Sequence, residues 1–433
     1  MKELVNVFWF RRDLRLEDNC GLYHALNSIH PVIPLFIFDK AILDKLEDNS
    51  DQRVNFIHQQ LERINKQLAA LGSTLLVKHG KPLDVWKELT ETFSIKQVFT
   101  NNDYEPYAID RDNQVKEFLQ LKSISFHTYK DHVIFEKQEI TKDDGTPYTV
   151  FTPFSKKWLT KLSDDHLKTW TTEKHFTNFS QIKKLAIPTL ESIGFKNAKA
   201  QFPPTTVSDD LIKNYETTRN FPAINGTSHL SIHLRFGTVS IRKIAKKAKS
   251  LGQTFLIELI WREFYQVILW HFPYIINGSF KPLYDNMKWR NNEAEFDSWC
   301  MGKTGYPMVD AGMRELNETG FMHNRLRMVT ASFLTKHLLI DWRWGEAYFA
   351  KKLLDYELAS NNGGWQWAAG TGCDAAPYFR IFNPTEQAKK FDPDLIYIRK
   401  WIPELEEINY PSPIVDHQFA RERCLNAYKS IRI

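Results

Sequence analysis

Short apolar runs alternate with longer stretches of helical period over the first third of the chain. Val5–Phe10, Val32–Phe38, Thr74–Val77 and Gln97–Thr100 read as strands. Between them, Arg53–Leu71 sets Phe56, Ile57, Leu61, Ile64 and Leu68 on a helical stripe that stops at Gly72. Strand and helix in alternation predict a parallel sheet covered on both faces, a doubly wound α/β domain over residues 1–130. From about Lys130 to Phe202 the period is lost and polar, Pro and Thr residues dominate, with Phe151, Phe154 and Trp158 as anchors. Residues 131–202 are therefore expected to form a long linker. After Gly226 nearly every segment is helical in period: Ile241–Ala248, Phe255–Trp270, Val309–Leu316, Asn324–Leu339 and Ala347–Leu358. The expected architecture is α/β followed by all-α, with residues 203–433 forming the helical domain.

A length of 433 residues agrees with two cores rather than one. The net charge of +5 arises from 57 basic and 52 acidic residues spread along the chain, so it permits a polyanionic partner without demanding one. Aromatic content changes the picture more: 13 Trp in a basic protein favour base stacking or a stacked cofactor. Cys20, Cys300, Cys373 and Cys424 have neither CxxC nor metal-ligand spacing, so neither a disulfide framework nor a metal site is expected. No GxGxxG follows a strand, which disfavours a pyridine-nucleotide dehydrogenase. Met1–Phe10 has no cleavage-site pattern and runs into Arg11-Arg12-Asp13-Leu14-Arg15, and no apolar run is long enough to span a membrane. A cytosolic monomer is expected.

Four segments carry candidate chemistry. In Glu258-Leu259-Ile260-Trp261-Arg262-Glu263-Phe264-Tyr265, helical spacing puts Glu258, Trp261, Arg262 and Tyr265 on one face. Such a face is ordinarily a solvated Glu–Arg pair, but an indole amid charges argues for a ligand. In Met322–Met328, Asn324 and Met328 share a face while Arg325 and Arg327 fan to either side, suited to phosphates or to acidic neighbours. In Asp355–Trp367, a helix is expected to end at Asn361-Asn362-Gly363-Gly364, with Trp365 and Trp367 facing different ways beyond it. Thr227-Ser228-His229-Leu230-Ser231 suits either a helix cap or a phosphate cradle.

Taken in order, these segments resemble the DNA photolyase/cryptochrome family along nearly the whole chain. The likeness begins at Phe8-Trp9-Phe10-Arg11-Arg12-Asp13-Leu14-Arg15-Leu16-Glu17-Asp18-Asn19 and passes through Phe151-Thr152-Pro153-Phe154 and Asn220-Phe221-Pro222-Ala223. It continues through Gly302-Lys303-Thr304-Gly305-Tyr306-Pro307 to Asn383-Pro384-Thr385. The resemblance implies FAD in the helical domain, with Tyr215, Thr227, Ser228, Leu230 and Ser231 on its phosphates and ribityl chain. Arg262 and Asp355 would flank the flavin, Glu357 stands where the family usually has a second Asp, and Asn361 would face flavin N5. It also implies damaged DNA as substrate. A flipped pyrimidine dimer would lie between Trp261 and Trp367, with Glu258 and Asn324 on its base edges and Met328 beside it. Arg325 and Lys390 are the implied phosphate contacts, with Gln387 a further candidate, and Trp289, Trp342 and Trp365 the implied electron relay to the flavin.

Asn324-Arg325-Leu326-Arg327-Met328 is similar to the cyclobutane-dimer branch of the family. Light-driven dimer repair is the expected function, with a cryptochrome-type photoreceptor as the alternative. Asn361, where plant cryptochromes usually carry Asp, and the chain's end at Ile433 without a long polar tail weigh toward repair. A light-independent flavoprotein or nucleic-acid-binding module is the third class, and it leaves the tryptophan relay without a purpose. A second, antenna chromophore of deazaflavin or folate type belongs to the same resemblance. Folate-type motifs are missing near Ala108-Ile109 and Ile276-Asn277, while Tyr104-Glu105-Pro106-Tyr107 resembles relatives with other antennae.

Overall fold

The structure, a computed structural model, describes residues 3–183, 185–198 and 201–431. The expected domain ends at Met1 and Ile433 lie outside the described residues. Five strands, β1 Leu4–Phe10, β2 Val32–Asp39, β3 Leu76–Gly80, β4 Ser94–Asn101 and β5 Ser125–Tyr129, form one parallel sheet in the order β3-β2-β1-β4-β5. The runs LVNVFWF and VIPLFIFD are apolar along nearly their whole length because β1 and β2 are buried on both faces. Val7 pairs in register with Ile33 on one side and Val98 on the other. β5 went unread in the sequence because SFHTY, at the sheet edge, has only a weak apolar alternation. Polar side chains start the covering helices: Asn19 caps Cys20–Leu26 and Asp51 caps Gln52–Ala70. Pro82 and Pro106 occupy the first turns of two more, where a missing N–H costs nothing.

Packing divides the chain into two compact units. The first comprises residues up to Glu136, Lys161–Thr206 and His229–Ser250; the second comprises Lys137–Thr160, Val207–Ser228 and the chain from Leu251. The stretch 131–202 is thus shared between them, and it contains a regular helix, Phe151–Lys161. Inside the first unit, buried Asp131 accepts from Arg15 (2.7 Å) and Arg242 (2.7 Å), and Arg242 also reaches Asp18 (3.0 Å). These two guanidiniums hold the Asp131 carboxyl well below its ordinary pKa, against the opposing effect of burial.

The second unit is helical. Gln253–His271, Pro307–Thr319, Asn324–Ser332, Trp342–Lys352 and Leu358–Ala369 surround a core that includes Trp299, Met313, Leu326, Phe333, Trp342 and Trp365. Three expectations are corrected here. The helix expected over Asn324–Leu339 is α-helical only to Ser332 and continues as a π-helical segment, Phe333–His337. The helix expected over Ala347–Leu358 runs instead from Trp342, capped by Asp341, to Lys352. Asn361-Asn362-Gly363-Gly364 does not end a helix: it lies inside Leu358–Ala369, which stops at Gly370 with φ of 84°. Gly363 is required by packing rather than by a turn, since a Cβ there would overlap the ring of Tyr265 (Cγ at 2.9 Å).

Candidate functional site

The Glu258 helix, Gln253–His271, orients four polar or aromatic side chains together because Leu256, Leu259, Ile260, Phe264 and Val267 take its other side into the core. Trp261 stacks face to face on Phe151, with centroids 3.6 Å apart, and meets Tyr265 at 5.6 Å. One indole face is therefore already covered by the protein. Glu258 forms an ion pair with Arg219, a partner the sequence reading missed; no local spacing signals a contact across 39 positions. Burial raises the Glu258 carboxyl and Arg219 opposes it. Tyr215, on the Asp209–Thr218 helix, lies edge-on to Phe255 at 5.0 Å, and its phenol is pushed up to about 12, chiefly by burial.

Asn324 opens the next helix, Asn324–Ser332, and its amide reaches Met328 Sδ at 4.0 Å, so these two share a face as their spacing requires. The two arginines separate in role. Arg327 donates to Asp355 (2.8 Å) and to the Met322 carbonyl (2.8 Å), which makes it an internal ion pair rather than a phosphate contact. Arg325 donates to Asn220 (2.6 Å) and lies 4.1 Å over the Phe391 ring. Burial and the nearby Arg219 both disfavour its charge, which an anion would relieve. Lys390 is exposed, with its amine 5.3 Å over the Phe391 ring. Gln387 lies one turn earlier on the same helix, Pro384–Phe391.

Glu357 is the N-cap residue of the Leu358–Ala369 helix, but its carboxylate turns to Arg262 (3.1 Å) and Gln266 (3.1 Å), and accepts from Ser360 (3.0 Å). The longer side chain is thus engaged as an ion-pair partner. Asp355 Oδ1 is buried and accepts no hydrogen bond. Asn361 donates to Glu346 through both its carboxylate (2.9 Å) and its carbonyl (3.1 Å). Glu346, whose carboxyl burial raises, was missed because its place beside Asn361 depends on two helices packing together. Trp365 is buried against Phe349 and Trp299, while Trp367 is half-buried and shares a cavity wall with Tyr265, Gly363 and Cys373. Trp289, Trp342 and Trp365 all belong to one hydrophobic cluster. Trp342 is fully buried, and Trp289 sits at the cluster's edge against Tyr428, 6.4 Å away.

Thr227 and Ser228 belong to the helical unit, while Leu230 and Ser231 belong to the first. Leu230 occupies the N-cap of Ser231–Phe236, and its side chain makes no cap. Also in the first unit, Tyr104 donates to Glu136 (2.7 Å) and Tyr107 to Asp39 (2.6 Å). Among the described residues there is no cluster that could hold a metal ion, and no helix long and apolar enough to cross a membrane. The helical unit has features that fit a bound flavin: the buried unpaired Asp355 oxygen, and open space beside Gly364, three residues after Asn361.

Fold and site together define a class, an α/β unit joined to a helical FAD-binding unit. A sequence model of DNA photolyase matches residues 6–173, and one of the FAD binding domain of DNA photolyase matches residues 255–409. A deoxyribodipyrimidine photo-lyase from Synechococcus is 37% identical, over 98% of this chain and 96% of its own. A class III photolyase from Agrobacterium tumefaciens has the same fold, with a TM-score of 0.87, 32% identity, and coverage of 100% of this chain and 98% of that one. A cryptochrome from Synechocystis gives a TM-score of 0.85 at 26% identity, covering 99% of each. The chain belongs to the DNA photolyase family, and its cofactor is FAD.

Proposed function

We propose that this protein repairs cyclobutane pyrimidine dimers in DNA, driven by light. The observation that carries this reading is the set of groups assembled in one helical unit: the indoles of Trp261 and Trp367, the Glu258–Arg219 pair, and the Asn324–Met328 face. Reduced FAD, held by the helical unit, would supply reversible, light-driven electron donation to the dimer. Trp261 and Trp367 offer apolar faces to a flipped dimer, worth roughly 1–3 kcal/mol per stacked base. Asn324 donates to the base edges, and Met328 fills the space beside them. Glu258 would face the carbonyl that gains charge, its carboxyl raised by burial against the opposing pull of Arg219. Tyr215, Thr227 and Ser228 hold the phosphate end of the cofactor, Arg262 with Glu357 and Asp355 flank its ring, and Asn361, held by Glu346, presents an amide that does not titrate. Trp289, Trp342 and Trp365 carry electrons inward during photoreduction.

The test is loss of the dimer from a dimer-containing oligonucleotide, with dithionite-reduced protein, in blue light and in darkness. Loss in light alone is the expected result. No loss from protein that binds and photoreduces FAD overturns the repair reading in favour of a cryptochrome-type photoreceptor.

A further inference from the structure

The Trp342–Lys352 helix carries Gly345 at a buried position. Glycine there costs about 1 kcal/mol relative to alanine, so its presence calls for a compensating contact. That contact is Trp365. A Cβ built on Gly345 would overlap Cη2 and Cζ3 of the Trp365 indole and would lie 2.6 Å from Leu334 Cδ2. The missing side chain is a slot filled by the rim of the indole. The same helix closes the slot from its next turn with Phe349, edge-on to Trp365 at 5.0 Å and 81°. It bears Trp342 three residues before the slot and Glu346, the partner of Asn361, one residue after it.

We propose that Gly345 is a positioning residue for electron transfer: it seats Trp365 directly against the backbone of the helix that carries Trp342. The inference rests on the relay reading above. In that reading Trp365 would give one electron to the light-excited flavin, Trp342 would refill Trp365 and Trp289 would refill Trp342. An added thiol then gives one electron to Trp289 and its proton to solvent, and two such passes leave two thiyl radicals that couple to a disulfide. A side chain at 345 displaces the indole from the backbone and so changes its distance and orientation to its neighbours in the relay.

The experiment compares wild type, Gly345→Ala and Trp365→Phe in three ways. Blue-light reduction of bound oxidised FAD with added thiol is followed by absorbance. Dimer repair is measured after chemical reduction with dithionite. Near-ultraviolet circular dichroism of the flavin-free protein reads the fixed asymmetry around the indoles. Gly345→Ala is expected to slow photoreduction several-fold and to change the dichroism, with repair by chemically reduced protein retained. If Trp365→Phe is slow and Gly345→Ala photoreduces like wild type, the inference on Gly345 is overturned and the relay stands. If Trp365→Phe also photoreduces like wild type, the relay reading itself fails. Should Gly345→Ala not fold, Leu334→Ala/Gly345→Ala removes the second clash while keeping the displacement of Trp365; wild-type photoreduction by that variant overturns the inference.

Discussion

At the scale of single residues, neighbouring groups in the site differ in what holds them. Arg325 and Arg327 are two positions apart and chemically identical, yet Arg327 is held by Asp355 while Arg325 meets only an amide and an aromatic ring. Glu258 stands between these cases, raised by burial and opposed by Arg219. Its proposed role in stabilising charge on the reacting carbonyl leads to a definite expectation. Glu258→Ala should lower the quantum yield of repair while changing affinity for dimer DNA less. Single-turnover yield measured beside a binding titration checks this, and a yield equal to that of wild type sinks the role.

At the scale of elements, the Leu358–Ala369 helix presents Asn361, Trp365 and Trp367 from one rigid scaffold, and its two adjacent glycines have opposite surroundings. Gly363 presses on the Tyr265 ring, whereas nothing lies within 4 Å of a Cβ on Gly364. Alanine at 363 overpacks the contact and should destabilise the protein by ~1–3 kcal/mol. Alanine at 364 gains helix propensity without a clash and should stabilise the flavin-free protein by up to ~1 kcal/mol. Denaturant melts of the two apoprotein variants check the pair; equal shifts of the same sign refute the packing account. The helix periods and the family-like motifs were legible in the sequence. The helix end at Asn361–Gly364 was misread because a glycine pair signals a turn unless the ring packed against it is known.

At the scale of the whole molecule, a net charge of +5 says little about where DNA would lie, because basic and acidic residues are nearly balanced. Binding through the phosphate backbone is nonetheless expected to be salt-dependent, each neutralised phosphate contributing a slope of about −0.9 in log affinity against log salt. Arg325→Ala and Lys390→Ala should each flatten that slope by roughly one unit, while Arg327→Ala, which breaks an internal pair, should lower stability instead. Fluorescence-anisotropy titrations of a labelled duplex across a salt series check the first two, and a thermal melt checks the third. Slopes unchanged in both of the first two variants would remove Arg325 and Lys390 from the DNA contact.

By itself the sequence determined the order of the architecture, parallel α/β then helical, because strand and helix periods are local properties of neighbouring side chains. It also determined which segments carry chemistry, through motifs kept in order along the chain. It did not show β5, an edge strand with only a weak apolar alternation, nor the passage of 229–250 into the first unit. The partners that set charge and position, Arg219 for Glu258, Glu346 for Asn361, Asp355 for Arg327 and Gly345 for Trp365, were decided by tertiary structure alone. Each joins residues 15 to 39 positions apart, and no local period encodes such a meeting until the helices pack.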